Sequence, residues 1–574
     1  MKTLNLHVDY IKFKALKKAL KNIGELSDSE KGEKEVKEAL VVLTAVEKSD
    51  GDVKFSVEKL VENVKDIAKQ VNAKNIVLYP YAHLSSNLSS PDLAVEILEK
   101  AEMALKKDGL KVVRAPFGYY KEFELKVKGH PLSELSRTIG KENVENKTEK
   151  KIVKDEVYDE KQLLRQISKS KLDTSKLKDN DHRILGQKMD LFSFNEVAPG
   201  MVFWHNNGLT IYNELINFWR AEHKKAGYKE IKTPQIMDSK LWKISGHWEK
   251  YKENNFSTDY EGRTFLVKPM NCPGGMLVYK SSPKSYKDLP LRAGEIGVVH
   301  RTELSGVLAG LFRVIQFTQD DAHIFCTEEQ LEDEINKIIE LINLFYKKFN
   351  LPFDHVELST RPEKRIGDEK IWDKAENILE KVLKKKKMNF KINKGDGAFY
   401  GPKIDFHVKD SLGRTWQLST IQLDFAMPDR FELEYNDSNN EKKRPVMLHR
   451  VIYGSIERFI GILLEHTDGR LPLWLAPVQV KVLNFTDRSL DYAKKIVETL
   501  EKEIPELRIE TDFEQKTVQA KVKDAEIQRS HYIIVLGDRE EKEKSVAVRH
   551  NGKLENFKIK DFVEKLKTEI ENRN

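Results

Sequence analysis

The chain has 574 residues, 39% hydrophobic and 33% charged, which exceeds what one core usually organises, so we expect three or four domains. Its formal net charge of +7 permits a polyanionic partner such as nucleic acid, although solubility alone would explain that charge. Two cysteines do not make a disulfide framework, and no apolar run approaches the roughly 18 residues that span a bilayer, so we expect a cytoplasmic protein with no membrane association.

Residues 1–140 predict a small α/β domain. The stretch "TLNLHVDYIKF" alternates apolar and polar residues like a strand, and "ALVVLTAV" and "NIVLYPYAHL" are typical of inner strands. A helix is predicted over "SSPDLAVEILEKAEMALKKDGL", with Ser90 as its N-cap, Pro91 in its first turn and Gly109 at its end.

Three further segments follow in the sequence. Residues 141–180 are rich in charge and poor in apolar residues, which predicts a partly helical linker. Residues 181–472 have long strands and glycine-rich turns, typical of a larger α+β domain. Residues 473–574 alternate strands and helices, which predicts a compact, mainly parallel α/β domain.

The candidate chemistry of the middle domain lies on arginines. The sequence has no GxxxxGK[ST] phosphate loop and no GxGxxG turn after a strand, so phosphate binding would depend on arginines and metal ions. Arg301 and Arg313 flank the turn "LSGVLAGL", and two antiparallel strands joined by it would bring both to one face. Arg458 lies in the amphipathic helix "GSIERFIGILLEH". For each arginine alone, a surface ion pair remains the alternative interpretation.

Several strings in this domain together resemble a known family. "HRTELSG" with "LFRVIQFTQDDAHIF" resembles motif 2 of class II aminoacyl-tRNA synthetases, "GYKEIKTPQIM" with Pro234 resembles motif 1, and "GSIERFIGILLEH" resembles motif 3. The strings "SGHWEKY", "KPMNCPGG", "GAFYGPKIDF", "TWQLSTIQLDF" and "PVMLHRVIYGS" are similar to those of threonyl-tRNA synthetases, which belong to class IIa.

This resemblance implies an antiparallel sheet of six or seven strands flanked by helices, beneath ATP and an amino acid. It implies that Arg301 holds the α-phosphate and the amino-acid carboxylate, and that Glu303 faces adenine. It assigns Arg313 and Arg458 to the bent triphosphate, with Mg²⁺ bridging the phosphates. These charges suit the pentavalent α-phosphate of adenylate formation.

The resemblance also implies a zinc ion bound by Cys272, His323 and His449, which no local spacing rule would connect. Three ligands and an open position are typical of a functional zinc. An apolar pocket separates threonine from isosteric valine poorly, whereas zinc would bind the amino group and the β-hydroxyl together.

By the same resemblance, other residues complete the amino-acid pocket or assist catalysis. Asp321 would accept a hydrogen bond from the substrate, and the remaining pocket residues would be Met270, Gln319, Tyr400, Gln417 and Gln422. His247, in "SGHW", matches a histidine that assists transfer to the tRNA ribose, and a packing role beside Trp248 is the alternative.

The outer domains resemble tRNA-handling modules. Residues 473–574 are similar to the class IIa anticodon-binding domain, with Glu540 and Arg549 at base-reading positions. Residues 1–140 lack the HxxxH signature of bacterial editing domains and resemble the archaeal editing domain, which has a D-aminoacyl-tRNA deacylase-like fold. The implied editing residues are His83, Tyr120, Lys121 and Glu134, and an archaeal source is implied as well.

The resemblance therefore implies a homodimeric enzyme of the threonyl-tRNA synthetase family that uses ATP, L-threonine and tRNA(Thr) and that hydrolyses mischarged L-seryl-tRNA(Thr). Two alternatives stay open. One is another class IIa specificity, against which Cys272, His323 and His449 together argue. The other is a non-catalytic tRNA-binding paralogue, which loss of Arg301 or Arg458 would have favoured.

Overall fold

The structure is a computed structural model, and it describes residues 1–20, 23–85, 87–130, 132–139, 159–167, 177–251 and 255–573. The chain divides into two compact units, Met1–Lys150 and Lys151–Asn574. Both mix helices and strands, which confirms the predicted α/β and α+β multidomain class. None of the described helices combines the length and apolar character needed to cross a membrane.

The first unit is a mixed sheet with two long helices packed on one face. Its elements are β1 Lys2–Lys18, α1 Asp28–Lys31, β2 Lys34–Ala45, α2 Val53–Gln70, β3 Asn75–Pro80, α3 Pro91–Lys107, β4 Lys111–Arg114, β5 Tyr119–Val127 and β6 Glu134–Thr138. The strand order is β4-β3-β2-β1-β5, with β6 also on β1. Strands β2, β3 and β4 are parallel, and β1 runs antiparallel to β2, β5 and β6.

Local sequence signals explain the limits of α3. Ser90 Oγ accepts a hydrogen bond from the N–H of Leu93 at 3.4 Å, and Pro91 opens the helix. Gly109 follows the helix with φ of +85°, a conformation that favours glycine. Helices α2 and α3 bury their apolar faces against β2 and β3. This packing fixes the position of the carboxyl ends of the two strands at one edge of the sheet.

The predicted linker 141–180 spans the boundary between the two units, and most of it lies outside the described residues. Within that linker the structure describes 159–167, with α4 Glu160–Ile167, and 177–180.

The core of the second unit is an antiparallel sheet. Its elements are α5 His182–Lys188, β7 Phe192–Ser193, β8 Phe203–Trp204, α6 Asn206–Lys225, β9 Lys229–Glu230, β10 Ile236–Asp238, α7 Ser239–Ile244, α8 His247–Tyr251, β11 Ser257–Tyr260, β12 Arg263–Val267, α9 Cys272–Lys280, β13 Leu291–His300, β14 Gln316–Cys326, α10 Leu331–Lys348, β15 Phe353–Ser359, α11 Glu369–Lys385, β16 Phe390–Asn393, β17 Lys403–Lys409, β18 Thr415–Asp424, α12 Ala426–Arg430, β19 Tyr435–Asn436, β20 Lys442–Lys443, β21 Val446–Val451 and α13 Ile456–Thr467.

The sheet order is β16-β15-β17-β18-β21-β14-β13-β9. The central strands from β15 to β13 are antiparallel, and the short edge strands β16 and β9 pair in parallel. The predicted hairpin around "LSGVLAGL" is confirmed, because β13 and β14 pair from Leu291↔Phe325 to His300↔Gln316. The expected antiparallel floor is therefore present.

Period-two alternation sorts the residues of β14 between the two faces of this sheet. Ile324 packs in the large apolar cluster with helices α6, α10, α11 and α13. Asp320 is buried and accepts hydrogen bonds from the N–H groups of Ile452 and Gly454, both at 2.9 Å. The intervening residues Asp321 and His323 therefore point to the opposite face.

The C-terminal part of this unit has its own apolar cluster. Its elements are β22 Val480–Asn484, α14 Leu490–Glu503, β23 Ile509–Asp512, α15 Val518–Ile527, β24 Tyr532–Leu536, α16 Asp538–Glu543, β25 Ser545–His550, β26 Lys553–Lys558 and α17 Ile559–Glu571. The predicted parallel pairing holds for β23-β22-β24. Strands β25 and β26 are antiparallel instead, because the short turn between His550 and Lys553 cannot make the crossover that a parallel pair requires.

Candidate active site

Three potential metal ligands meet on the polar face of the core sheet. Cys272 begins α9, and His323 of β14 is the register partner of His449 of β21. Their candidate donor atoms all lie within 4.8 Å of one another, and all three side chains are buried. Adjacent antiparallel strands and a helix start thus bring together residues that are up to 177 positions apart in the sequence.

The polar environment of this cluster suits a cation. Neither ring nitrogen of His323 makes a hydrogen bond, and burial lowers the pKa of His323 to about 4, so the ring is neutral. His449 Nε2 lies 2.9 Å from Asp424 Oδ2 and donates to it, which leaves Nδ1 as the ring nitrogen available to a metal ion. Burial raises the pKa of the Cys272 thiol, so a bound cation would be needed to favour the thiolate. One sulfur and two imidazole donors fit zinc.

The walls beside the cluster are polar side chains with defined contacts. Asn271 Nδ2 donates to Asp321 Oδ2 at 3.2 Å, which orients this carboxylate. Gln422 is the register partner of His449, and Tyr400 Oη donates to Gln422 Oε1 at 2.8 Å. The Tyr400 ring centroid lies 5.0 Å from that of His449. Asp321, Tyr400 and Gln422 therefore surround the cluster.

The other predicted pocket residues lie at different distances from it. Met270 packs in the same apolar cluster as Cys272 and Tyr400. Gln319 is half-buried on β14 and forms an isolated backbone bridge with Ser455. Gln417 lies at the start of β18, where its Nε2 donates to Asp405 Oδ1 at 2.6 Å, so the structure does not place it at the metal cluster.

His247 lies in the pocket wall and is 1% exposed. Its Nδ1 lies 2.8 Å from Ser245 Oγ, and its ring centroid lies 5.4 Å from that of Phe399 and 6.2 Å from that of Tyr400. The alternative interpretation is packing beside Trp248, whereas the observed tryptophan neighbour is Trp242, whose ring centroid lies 6.4 Å from that of His247. The position beside Tyr400 is compatible with either role.

The predicted phosphate-binding residues Arg301 and Arg313 lie in the loop that joins β13 to β14, and Arg458 lies in the first turn of α13. Arg301 Nε donates to the carbonyl oxygen of Pro269 at 3.1 Å. Arg313 forms an ion pair with Glu303 at 3.0 Å. Arg458 lies over the Trp416 ring at 5.5 Å, and burial together with the charge of Arg313 lowers its pKa. Two cations that repel each other here would gain from an anion between them.

The first unit contains a cavity of about 560 Å³ at the carboxyl ends of β2 and β3. His83, Tyr120 and Lys121 line it, and Glu134 does not, because it lies exposed on β6 opposite Leu6. Three of the four predicted editing residues therefore meet in one place.

Lys121 has an unusual environment within this cavity. Its Nζ donates to the carbonyl oxygens of Pro116 at 2.8 Å and Tyr119 at 3.1 Å, and lies 5.1 Å from the centre of the Tyr79 ring. Burial lowers the pKa of Lys121 to about 8 and raises that of Tyr79 to about 12. The amine therefore changes charge near neutral pH, which is a feature of functional lysines.

Glu540 and Arg549 lie on different elements of the C-terminal domain. Glu540 lies on α16, just after β24, and accepts a hydrogen bond from the N–H of Gly537. Arg549 is the register partner of Ile533 near the start of β24 and forms an ion pair with Glu526 at 3.5 Å. The strand from Ile533, which pairs with Arg549, to Leu536 at the end of β24 is roughly 10 Å long. Arg549 and Glu540 are therefore far enough apart to contact two separate groups of a ligand.

Sequence reasoning missed several residues that hold these sites together. Asp424 and Asn271 orient His449 and Asp321, and the adjacency of Asn271 to Cys272 was the available signal. Tyr79 was also missed, although it lies near the carboxyl end of a parallel strand, where ligands often bind.

Comparisons with known proteins bear on all three regions. Residues 1–139 match the family described as the archaea-specific editing domain of threonyl-tRNA synthetase. Residues 251–467 match the tRNA synthetase class II core domain (G, H, P, S and T), and residues 477–569 match an anticodon binding domain.

Individual relatives carry the same family name. The chain is 54% identical over 395 residues to a Threonine--tRNA ligase of Caldanaerobacter subterraneus, which covers 68% of this chain and 61% of the relative. It is 54% identical over 398 residues to that of Desulforamulus reducens, covering 69% and 62%. The chain thus spans about three fifths of the length of these curated relatives.

Two solved structures are similar as well. The RNA binding domain of threonyl-tRNA synthetase from Cryptosporidium parvum aligns at 40% identity with a TM-score of 0.65, covering 68% of this chain and 98% of that one. The putative threonyl-tRNA synthetase ThrRS-1 from Aeropyrum pernix aligns at 27% identity with a TM-score of 0.60, covering 68% and 96%. The predicted family is confirmed: the chain belongs to the threonyl-tRNA synthetases.

Proposed function

We propose that the chain is a threonine–tRNA ligase that activates L-threonine with ATP and transfers the threonyl group to tRNA(Thr). The observation that carries this proposal is the meeting of Cys272, His323 and His449 beside Asp321, in the same sheet whose β13–β14 loop carries Arg301. One face thus offers groups for a hydroxyl-bearing amino acid and for a phosphate.

Cys272, His323 and His449 would hold one zinc ion per subunit. When bound, this ion would supply a Lewis acid with an open position for the amino and hydroxyl groups of threonine.

The protein's own side chains would shape the amino-acid pocket. Asp321, held by Asn271, would accept a hydrogen bond from the substrate. Tyr400 and Gln422 would close the side of the pocket with their mutual hydrogen bond, and Met270 would supply apolar contact. Gln319 would complete the pocket from β14. Valine has no hydroxyl to offer to Asp321, and a pocket built to bond a substrate hydroxyl penalises its absence strongly.

The arginines would orient ATP, which enters with Mg²⁺. Arg301 would hold the α-phosphate and the threonine carboxylate, which places nucleophile and electrophile together. Arg313 and Arg458 would bind the outer phosphates, and Glu303 would face adenine. Gln417 stays a prediction for the amino-acid pocket, because its Nε2 donates to Asp405 Oδ1. Charge that develops at the α-phosphate would thereby meet fixed cations.

His247 would assist transfer of the threonyl group to the tRNA ribose. Its position beside Tyr400 supports this role. The anticodon would bind the domain of residues 473–574, where Arg549 and Glu540 would each face a separate base.

The anticodon proposal has an internal control. Arg549→Ala should weaken tRNA binding about tenfold, the size expected for one base contact. Arg539→Ala should leave it within twofold, because Arg539 is exposed and pairs with Glu543 on the same helix. Filter binding of a tRNA(Thr) transcript measures both, and equal losses would contradict the assignment.

We also propose that residues 1–140 form an editing domain that hydrolyses L-seryl-tRNA(Thr), with Lys121 positioning water and the terminal ribose hydroxyl assisting. His83 and Tyr120 would shape the cavity; Glu134 stays a prediction without support from the cavity lining. Residues 141–180 would link this domain to a catalytic domain of residues 181–472.

A homodimer through the segment around Pro234, a cytoplasmic location and an archaeal source complete the proposal. Ile236, which is 51% exposed next to this segment, supports an interface there. Light scattering at micromolar concentration would contradict the dimer if it found only monomers.

The deciding experiment is ATP–pyrophosphate exchange with a panel of amino acids, followed by charging of tRNA. Exchange that depends on threonine, with serine weaker and valine negligible, would support the proposal. Exchange with proline or serine as best substrate would favour another class IIa specificity, and no exchange with intact tRNA binding would favour the paralogue.

A further inference from the structure

One buried histidine ties the loop between β13 and β14 to the start of the core. His182 is the first residue of α5 and is 1% exposed. The backbone N–H of Leu311 donates to His182 Nε2 at 3.0 Å. Since a backbone N–H can only donate, Nε2 is the acceptor and Nδ1 carries the proton, which is donated to Glu465 Oε1 at 2.6 Å. Both ring nitrogens therefore have fixed roles.

The turn Gly310–Phe312 is shaped around this imidazole. The rings of His182 and Phe312 lie 4.2 Å apart between centroids. Gly310 has φ of +54°, and a Cβ added there would lie 2.2 Å from His182 Nε2. The next residue after the turn is Arg313, so the position of this arginine depends on how the turn is held.

The Nδ1 nitrogen of His182 is linked to a second arginine, Arg414, through Glu465. Glu465 Oε2 forms an ion pair with Arg414 Nη1 at 2.6 Å. Arg414 lies over the Trp416 ring at 5.0 Å, and Arg458 lies over that ring at 5.5 Å. The imidazole thus connects the loop that carries Arg313 with the aromatic platform on which Arg458 rests.

We propose that His182 is a positioning residue for ATP, holding the Gly310–Phe312 turn by its hydrogen bond to Leu311 so that Arg313 faces Arg458. The inference rests on the proposed use of ATP by this site. His182 itself contacts neither the substrate nor the reacting atoms. Its effect should appear in the binding of ATP and not in the binding of threonine.

Two substitutions separate the two ring nitrogens. A glutamine amide reaches the position of Nε2, so His182→Gln keeps an acceptor for Leu311 and loses the donor to Glu465. An asparagine amide reaches the position of Nδ1, so His182→Asn keeps the donor to Glu465 and loses the acceptor. We expect His182→Asn to raise the KM for ATP in pyrophosphate exchange about tenfold, the size of one hydrogen bond, and His182→Gln to stay within threefold.

Gly310→Ala should break the same hydrogen bond between Leu311 and His182 by a change in the loop, because the added Cβ would displace the His182 ring. It should also raise the KM for ATP, and the double variant with His182→Asn should be no worse than the stronger single variant, since both break one contact. His223→Asn is the matched control: His223 is 2% exposed in the same core and contacts α6 and Tyr228 instead of the loop.

A wild-type KM for ATP in His182→Asn would overturn the inference. So would equal rises in the KM values for ATP and threonine, or a rise as large in His223→Asn, because these would indicate general damage to the core. Calorimetric titration of the same proteins with Mg-ATP gives a readout that does not need turnover. If wild type binds ATP but shows no exchange with any amino acid, the proposed function fails while a tenfold weaker binding in His182→Asn still supports His182.

Discussion

The core site and the N-terminal cavity differ in where their polarity comes from. The core site gathers a thiol, two imidazoles, a carboxylate and arginines from separate elements of one sheet face. Among the described residues, the N-terminal cavity has mostly aromatic and aliphatic walls, with His83 and the half-buried amine of Lys121 as its polar groups beside small hydroxyl side chains. The first arrangement suits recognition of a hydroxyl and a phosphate, and the second suits discrimination by shape.

The proposed reactions need this division of labour. Serine retains the amino group and the hydroxyl of threonine and lacks one methyl group, which is worth about 1–3 kcal/mol in a pocket, or roughly 10–200-fold. In the proposed mechanism the polar groups of the core site would satisfy both amino acids. A second cavity that excludes the extra methyl group would supply the missing selectivity, because threonyl-tRNA would misplace the attacking water there.

The largest expected effect is in the core site. Arg301→Ala should reduce threonine-dependent pyrophosphate exchange by at least a hundredfold, because it removes a cation from the reacting phosphate, which typically costs several kcal/mol. Arg488→Ala, which changes an arginine that is 79% exposed, serves as control and should exchange normally. Normal exchange in Arg301→Ala would remove the arginine from the proposed mechanism.

Cys272→Ala tests the donor set of the same site. We expect metal analysis to find less than one zinc ion per subunit in this variant. We also expect calorimetry to show that it no longer binds threonine. Cys326→Ala is a closely matched control, since Cys326 is equally buried and burial raises its pKa to about 12, but it belongs to no described metal cluster. Zinc that survives in Cys272→Ala would show that the ligands are wrong.

The N-terminal cavity should respond to a different change. Lys121→Met keeps much of the side-chain volume and removes the amine, so deacylation of preformed seryl-tRNA should fall about a hundredfold, a typical loss for one catalytic group. Pyrophosphate exchange should stay unchanged in the full chain, and threonyl-tRNA should remain intact throughout. Lys100→Met, an exposed lysine paired with Glu96, is the control. If Lys121→Met deacylates seryl-tRNA as fast as wild type, the assignment of editing to this cavity is wrong.

The sequence predicted the fold where patterns are local. The caps of α3 and the β13–β14 hairpin follow from residues within a few positions of each other, and both are confirmed. The core-site residues followed from resemblance, because the register that joins His323 to His449 is set by strand pairing across 126 positions. Glu134 shows the limit of this approach, since a matching position in sequence did not place its side chain in the cavity. The contact of His182 with Leu311 depends on the path of a loop, which no periodicity encodes.

The smallest expected effect is on the free energy of unfolding of the first unit. The direction in which this free energy changes with pH distinguishes the buried Lys121 from lysines on the surface. Burial lowers the pKa of Lys121 to about 8, against about 10.4 in an unfolded chain. Between these values the unfolded state binds one more proton than the folded state, so the free energy of unfolding rises with pH.

The first unit has its own apolar clusters, so residues 1–150 can be studied as a fragment by urea unfolding. From pH 8 to 10 the wild-type fragment should gain about 1–2 kcal/mol relative to Lys121→Met. Measurements should stop near pH 10, because the raised pKa of Tyr79 gives the opposite slope above that value. The Lys100→Met fragment should track wild type across this range, and a constant difference between wild type and Lys121→Met would mean that the amine is not held in the cavity.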